Sequence, residues 1–393
     1  MHATFIHTAD WQIGKPFAGV EDEQKRALLQ HERVAVVHRI AAHVETTGAK
    51  FVLIAGDLFD SATPTKATVS AACSALGQLP VPVYAIPGNH DHGGPGSVWQ
   101  QEFFQREQAH LAPNFHILLK PEPVELEDAV IFPCPLMRRH ETKDPLAWLQ
   151  QLGDFAQYSG KAHIVLAHGS TTDFRAGSGG DDEESDGDAV NVINLGRLRE
   201  EEFDYVALGD WHGMKQITPK AWYAGTPEPD RFAKGEDHRA GHVLLVRAGR
   251  GEAPEIKPIA TAGMTWQERF FAFSADDDLA RLGAEVDAAI AGRANQALLR
   301  LHLSGALGIE ASARLEQHLE SWRARVIRLK LHNETAIAPT AAELARLTER
   351  TADPLISRVA ARVSATAAAV GDATEAAAAQ VALRELYLAC SVQ

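Results

Sequence analysis

Metal-binding residue types follow five short apolar runs of this chain. They are Asp10 with Gln12 in "ADWQIG", Asp57 with Asp60 in "GDLFD", Asn89 with His90 and Asp91 in "GNHD", His168 in "AHGS", and Asp210 with His212 in "GDWHG". Taken singly, each is more typical of a turn or of a structural histidine. Together they supply oxygen and nitrogen ligands for two cations, including one carboxylate placed to bridge them, so the pattern predicts a single metal centre.

The apolar runs themselves predict the strands that must position these residues. Runs of about four to eight residues bounded by turn residues are typical of buried strands. The clearest are 3–8, 51–56, 81–88, 129–135, 163–169 and 205–210. Helical spacing over 21–47 and 64–79 lies between some of them, and this alternation predicts an α/β fold. Functional groups of such sheets gather where strands end and loops begin.

The remainder of the chain predicts a smaller unit and a helical tail. Strand-like runs near 265–273, 296–305 and 324–333 are separated by the helical stretches 276–291 and 309–322. We therefore expect three regions, at 1–254, 255–335 and 336–393, of which the second is α+β and the third helical. The Gly- and acid-rich segment 175–188 predicts a solvated loop.

Composition limits the classes of function. The 393-residue chain has a formal net charge of -14, which argues against unaided tight binding to a phosphate backbone. Bound cations or a basic partner would offset this charge. Three widely spaced cysteines form neither a disulfide framework nor a zinc motif. Without a leader or an apolar run of about 18 residues, we expect a cytoplasmic protein.

The order of the motifs resembles the calcineurin-like metallophosphoesterases. The motifs "HTADWQIGK", "GDLFD", "YAIPGNHD" and "YAGTPEPDRF" are similar to those of the SbcD-type DNA nuclease subunit, over about residues 1–250. The resemblance implies two packed mixed β-sheets flanked by helices, a small α+β capping domain and a helical C-terminal tail.

The resemblance also implies a dinuclear metal centre that hydrolyses phosphodiesters. Its ligands would be Asp10, Gln12, Asp57, Asn89, His168, Asp210 and His212, with Asp57 bridging both cations. Gln12 and Asp210 stand where the family pattern has histidines. The added carboxylate and the neutral amide oxygen predict a hard, oxygen-rich site that favours manganese, or magnesium, over zinc. The same two substitutions would also fit a degenerate, inactive site.

The remaining roles implied by the resemblance concern the substrate. His90 would lie over the reacting phosphate as proton donor or charge stabiliser, oriented by Asp60. Arg138, Arg139 and Arg231 are candidate phosphate contacts, because a guanidinium binds phosphate in a bidentate manner. A solvated basic turn is the alternative interpretation of the first two.

The partners implied by the resemblance are DNA and an SMC-like coiled-coil ATPase of the SbcC type, docked by the C-terminal helices, in a nucleoid-associated homodimer. Packing of these helices on the catalytic domain is the alternative. The resemblance thus implies a DNA repair nuclease. A small-molecule phosphodiesterase or phosphatase on the same centre, and a non-catalytic scaffold for DNA ends or the ATPase, remain alternative hypotheses.

Overall fold

The computed structural model describes residues 1–153, 155–172, 190–199, 201–233, 235, 238–290, 292–369 and 373–391. The segment 175–188, for which the sequence predicts a loop, lies outside these residues. The chain divides into two compact units, Met1–Met264 and Thr265–Gln393. The first unit extends past the boundary expected at residue 254, because the strand Glu255–Ala260 pairs with the strand before it.

The first unit alternates strands with helices. Its strands are β1 (His2–Thr8), β2 (Phe51–Ala55), β3 (Val83–Ile86), β4 (Phe115–Ile117), β5 (Val124–Glu125), β6 (Ala129–Cys134), β7 (Ala162–His168), β8 (Ser170–Thr171), β9 (Val192–Ile193), β10 (Tyr205–Gly209), β11 (Lys215–Gln216), β12 (Ala221–Tyr223), β13 (His242–Gly249) and β14 (Glu255–Ala260). Its helices are α1 (Glu23–Thr47), α2 (Lys66–Leu76) and α3 (Glu102–Leu111).

Among the described residues, these strands form two six-stranded mixed sheets and a two-stranded one. The first large sheet has the order β14-β13-β1-β2-β3-β4, and the second has the order β11-β12-β10-β7-β6-β5. The neighbours β1, β2 and β3 are parallel, as are β6, β7 and β10. Parallel neighbours end at the same edge of a sheet, so the loops that follow them converge there.

The two large sheets pack face to face. One core cluster joins Phe5 and Leu53 of the first sheet to Ile131, Ile164 and Tyr205 of the second. The five residues of β2 are all buried, because helices cover the other face of its sheet. The predicted fold class, with two mixed sheets flanked by helices and a helical C-terminal region, is confirmed.

Local signals explain where helix α1 begins and ends. The Asp22 side chain accepts hydrogen bonds from the main-chain N–H groups of Gln24 and Lys25, which caps the first turn. At the other end, Gly48 adopts a left-handed conformation with φ 71°. The buried face of the helix is apolar except for Arg33, which becomes important at the site below.

The second unit is built on a small parallel sheet. Its elements are β15 (Thr265–Phe273), α4 (Asp278–Ile290), β16 (Ala297–Leu307), α5 (Ile309–Arg325), β17 (Arg328–Asn333), β18 (Ala336–Ile337), α6 (Ala341–Thr348), α7 (Pro354–Ala367) and α8 (Ala373–Ser391). Strand β16 pairs with β15, β17 and β18, all in parallel. Helices α4 and α5 contribute to the apolar core under this sheet.

The C-terminal helices pack within the second unit. Leu347 of α6, Ala360 of α7 and Leu383 of α8 form a buried cluster with Ile309 of α5. Tyr387 of α8 also donates a hydrogen bond of 2.5 Å to the Glu310 carboxylate of α5. In the part of the chain that the structure describes, no helix is both long and apolar enough to cross a membrane.

Replacing Leu53 with alanine is expected to destabilise the first unit by about 2–5 kcal/mol, because a cavity forms between the sheets. The matched variant Leu28→Ala removes the same atoms from a side chain that is 39% exposed on α1, and should change stability by about 0.5 kcal/mol or less. Denaturant unfolding measures both variants. Equal losses would contradict the assignment of the core.

Candidate metal centre

The predicted ligands lie where the ends of five strands meet. Asp10 follows β1, Asp57 follows β2 and Asn89 follows β3, all in the first sheet. In the second sheet His168 ends β7, and Asp210 follows β10. The register confirms that the strands end level with each other, since Thr8 lies beside Ile54, Ala55 beside Ile86 and Gly209 beside His168.

The backbone of these loops is strained in a way that aims the side chains inward. Asp10, Gln12, Asp57 and Asp210 have φ values of 54°, 42°, 54° and 106°, in the left-handed region that non-glycine residues rarely adopt. Strain of this kind is concentrated at functional sites, where the surrounding structure holds it in place.

Two glycines let the loops approach each other. A Cβ atom on Gly56 would lie 2.2 Å from His168 Nδ1, and one on Gly88 would lie 2.1 Å from Asp57 Oδ1. Both distances are shorter than any van der Waals contact. The glycine of "GDLFD" therefore makes room for the imidazole ring, and the glycine of "GNHD" makes room for the carboxylate.

Three of the predicted ligands form a compact buried cluster. One ligand atom each from Asp10, Asp57 and His168 lies within 4.8 Å of the other two. The side chain of Asp210 joins them, since its Oδ1 lies 3.8 Å from His168 Nε2, and its main-chain N–H donates to Asp10 Oδ1 at 3.1 Å. Asn89 Oδ1 lies 2.9 Å from the same His168 nitrogen. The structure thus brings five strand ends to one point.

Burial makes this cluster electrostatically costly. It raises the pKa of Asp10 to about 8; His168 opposes the rise, and the carboxylates of Asp57 and Asp210 add to it. Burial alone would lower the pKa of His168, but the carboxylates of Asp57, Asp10 and Asp210 outweigh it and raise that pKa to about 9. The cluster therefore favours bound positive charge, first as protons.

The donor set fits a divalent cation. The Nδ1–H of His168 donates to the Ala55 carbonyl oxygen at 2.7 Å, which directs Nε2 into the cluster. There Nε2 faces Asn89 Oδ1 and lies 3.6 Å from Asp57 Oδ1. Oxygen atoms and one imidazole nitrogen thus converge where the Nε2 proton lies. A hard cation in place of that proton would find these ligands already oriented.

Gln12 and His212 lie side by side, and each contacts a charged neighbour. The Gln12 amide nitrogen Nε2 is 3.3 Å from His212 Nε2, and its Oε1 accepts from Lys15 Nζ at 2.9 Å. His212 Nδ1 lies 3.0 Å from the carboxylate of Asp230. Burial lowers the pKa of His212 to about 4, although Asp230 opposes the shift, so the ring is neutral near pH 7.

His90 is fixed at the centre through Asp57. Its main-chain N–H donates to Asp57 Oδ1 at 3.0 Å. Its ring Nδ1 lies 3.0 Å from the main-chain carbonyl oxygen of Asp60. Asp60 thus contacts His90 through its main chain, whereas its carboxylate lies 3.7 Å from Lys15 Nζ. The group of Asp60 that orients His90 is therefore its main-chain carbonyl oxygen and not its carboxylate. Because this oxygen can only accept a hydrogen bond, His90 Nδ1 must carry a proton.

The candidate phosphate-binding arginines lie in different surroundings. Arg231 Nη2 is 3.4 Å from His212 Nδ1, and the guanidinium pairs with Asp230 at 3.1 Å. The side chains of Arg138 and Arg139 are exposed on the loop after β6. The role of Arg138 and Arg139 in substrate binding stays a prediction. The role of Arg231 also stays a prediction, but its position next to His212 is suitable for contact with a bound phosphate.

Two further buried groups hold the site together: Asp91, which the sequence pattern includes among the metal-binding residue types without a role, and Arg33, which was not identified from the sequence. Asp91 accepts from the main-chain N–H groups of Gly88, at 2.7 Å, and Phe59, at 3.0 Å, which ties "GNHD" to "GDLFD". Arg33 of α1 donates to the main-chain oxygen of Asp10 at 3.0 Å and to that of Glu228. A lone arginine on the apolar face of α1 was the signal in the sequence.

Comparisons with known proteins agree with this geometry. The sequence model of the calcineurin-like phosphoesterases matches residues 3–235, which is more than half of the chain. The chain belongs to the calcineurin-like phosphoesterase family. The SbcD component of the nuclease SbcCD of Staphylococcus epidermidis is 26% identical over 145 residues, which are 35% of this chain and 36% of that protein. The match spans about a third of that relative's length.

One solved structure aligns with 66% of this chain and 100% of its own chain, at 11% identity and a TM-score of 0.40. The predicted resemblance to metallophosphoesterases of the SbcD type is confirmed by the family model and by the staphylococcal nuclease component. The family hydrolyses phosphoesters with divalent metals, for which the cluster of Asp10, Asp57 and His168 is a candidate site.

Binding of Mn²⁺ is expected to release protons near neutral pH. The pKa values of Asp10 and His168 are about 8 and about 9, so both groups hold protons that a cation must displace. Affinity should therefore rise with pH, by up to about tenfold per unit for each proton released, and level off above the higher pKa. Calorimetry in buffers of different ionisation enthalpy measures this release. An affinity independent of pH below neutrality would contradict it, and Glu127→Gln, an exposed acid elsewhere, should leave the profile unchanged.

Proposed function

We propose that this chain is a metal-dependent DNA nuclease, the nuclease subunit of an SbcCD-like DNA repair complex. The observation that carries the proposal is the buried convergence of Asp10, Asp57 and His168 within 4.8 Å, with His90 attached to Asp57. Family membership supports phosphoester hydrolysis, and similarity to a component of a nuclease supports DNA as the substrate.

The residues that would hold divalent cations are the predicted ligands Asp10, Asp57, Asn89, His168 and Asp210, with Gln12 and His212 on the adjoining side. Bound cations would neutralise a phosphodiester, clamp its attacking and leaving oxygens and lower the pKa of a bound water. Carboxylate and amide oxygens dominate this set, which supports manganese, or magnesium, as the metal.

His90 is the group suited to move a proton. Its ring Nδ1 lies 3.0 Å from the Asp60 carbonyl oxygen, and we propose that Nε2 is the ring atom that delivers a proton to a leaving oxygen. The half-buried ring is reachable by a substrate, and its main chain is fixed on Asp57. A leaving alkoxide is a strong base and takes up a proton as it departs, which an imidazole N–H group can supply.

The guanidinium of Arg231 would orient the substrate. Its side chain is 27% exposed, and its pairing with Asp230 fixes it next to His212. A phosphate bound at the centre would meet a positive group on this side. We propose the exposed Arg138 and Arg139 as further contacts along the path of a longer substrate.

A partner would explain how an acidic chain engages DNA. The net charge of -14 opposes binding to a polyanion, and bound cations would offset only part of it, so a basic surface on a partner would favour DNA binding. Helix α7 presents Leu355 and Val359, which are 72% and 44% exposed. These two residues are four apart and share one face of the helix, and a contiguous exposed apolar face is typical of an interaction site. We propose that α7 docks on an SMC-like coiled-coil ATPase of the SbcC type, in an assembly containing two copies of this chain.

The variant His90→Gln is expected to lower kcat for DNA cleavage by about 10²–10⁴, because the leaving oxygen loses its proton donor. Its affinity for Mn²⁺ should stay close to that of the unmodified protein, since the main-chain N–H to Asp57 is kept. His110→Gln, an exposed histidine at the end of α3, is the matched control and should retain full activity.

The same assay discriminates between the alternatives. Purified protein with Mn²⁺ is given plasmid, linear and single-stranded DNA beside a chromogenic phosphodiester. Cleavage of the small ester alone would contradict DNA as the substrate and favour a small-molecule phosphodiesterase. Failure to cleave any substrate, with and without the ATPase, would favour a scaffold.

A further inference from the structure

Two neighbours fix the orientation of the Gln12 amide. Lys15 Nζ lies 2.9 Å from Gln12 Oε1, and an ammonium group can only donate hydrogen bonds. The amide nitrogen therefore points the other way, 3.3 Å from His212 Nε2. Gln12 is only 1% exposed, so these contacts replace its hydrogen bonds to water. We name this chain of contacts, from Lys15 through Gln12 to His212, the Gln12 bridge.

The Gln12 bridge uses the lone pair with which His212 would bind a cation. His212 Nδ1 lies 3.0 Å from the fully buried carboxylate of Asp230, which can only accept, so Nδ1 carries the ring proton. In the neutral ring Nε2 is then the acceptor, and the Gln12 N–H group donates to it. Cation binding at His212 would have to break this hydrogen bond.

Lys15 adds an electrostatic obstacle on the same side. Its ammonium lies 3.3 Å from the Asp230 carboxylate and 3.7 Å from that of Asp60. These two anions hold the positive charge next to Gln12, and the side chain is only 21% exposed. A cation that approaches Gln12 would meet this charge in a region that water screens poorly.

The side of the centre around His168 instead offers available ligands and negative charge. His168 Nε2 faces the Asn89 oxygen, and the carboxylates of Asp57 and Asp210 lie within 3.8 Å of it. A cation that displaces the proton on Nε2 gains these ligands and relieves the repulsion between buried carboxylates. The two sides therefore differ in both ligand availability and charge.

We propose that the Gln12 bridge makes the two halves of the centre unequal, so that the chain binds one divalent cation tightly on the His168 side and a second weakly on the His212 side. This inference rests on the metal centre of the proposed function but not on DNA as the substrate. The concentration of free divalent cation then controls the reaction, because hydrolysis by two cations requires the weak side to be filled.

Titration of the metal-free full-length chain with Mn²⁺ tests the proposal. Calorimetry and equilibrium dialysis count the bound ions, and electron paramagnetic resonance distinguishes an isolated Mn²⁺ from a coupled pair. The unmodified chain should show two classes of site with dissociation constants at least about tenfold apart, and the signal of an isolated ion at one equivalent.

Variants of the bridge supply the controls. In Gln12→His an imidazole replaces the amide, so the two constants should converge and the coupled signal should appear at two equivalents. Lys15→Met removes the positive charge next to Gln12. The dissociation constant of the weak site should then fall at least about threefold, because the cation is no longer repelled by a poorly screened ammonium group. Lys15→Arg keeps the charge and should behave as the unmodified chain does.

Three results of these titrations would contradict part of the proposal. Two equal sites in the unmodified chain would overturn the inference while leaving the metal centre in place. Unequal sites that neither Gln12→His nor Lys15→Met changes would also overturn it, because the bridge would not be the cause. If neither the unmodified chain nor any variant bound Mn²⁺, the proposed metal centre itself would be wrong.

Discussion

The structure depends on the burial of like charges at the edge where two sheets meet. Asp10 and Asp57 are at most 2% exposed and approach each other with His168 at the ends of β1, β2 and β7. Water cannot screen them there, and burial of carboxylates without compensating charge is unfavourable. Other features of the unit serve this arrangement. Left-handed backbone at the loops, glycines that let side chains approach, and Asp91, which ties two loops together, all hold the acids in place.

The fold around this cluster was largely predictable because its causes are local. Short apolar runs followed by turn residues identified the strands that carry Asp10, Asp57, Asn89, His168 and Asp210, and parallel pairing brings their ends together. The C-terminal end of the first unit, in contrast, could not be predicted from local sequence. Strand β14 is short and mostly exposed, and only its pairing with β13 assigns it to the first unit rather than to the second.

The contacts around the site were less predictable, since they join residues that are distant in sequence. Arg33 reaches the main-chain oxygens of Asp10 and Glu228 from the middle of a helix. The role of Asp60 in orienting His90 passes through a main-chain oxygen, which no side-chain pattern reveals. Gln12 shows the same principle. In the sequence, Gln12 is recognised only as a residue that replaces the histidine of the family pattern. In the structure, it belongs to the hydrogen-bonded bridge that links Lys15 to His212. Substitution at one ligand position thus changes what its neighbours can bind.

We expect the buried carboxylates to compensate their charge by binding a divalent cation. Crystals of the full chain grown with Mn²⁺ and measured at the manganese absorption edge test this expectation most directly. We expect an anomalous peak among the carboxylates of Asp10 and Asp57, the imidazole of His168 and the amide oxygen of Asn89. A map with manganese peaks elsewhere and none within this cluster would contradict it.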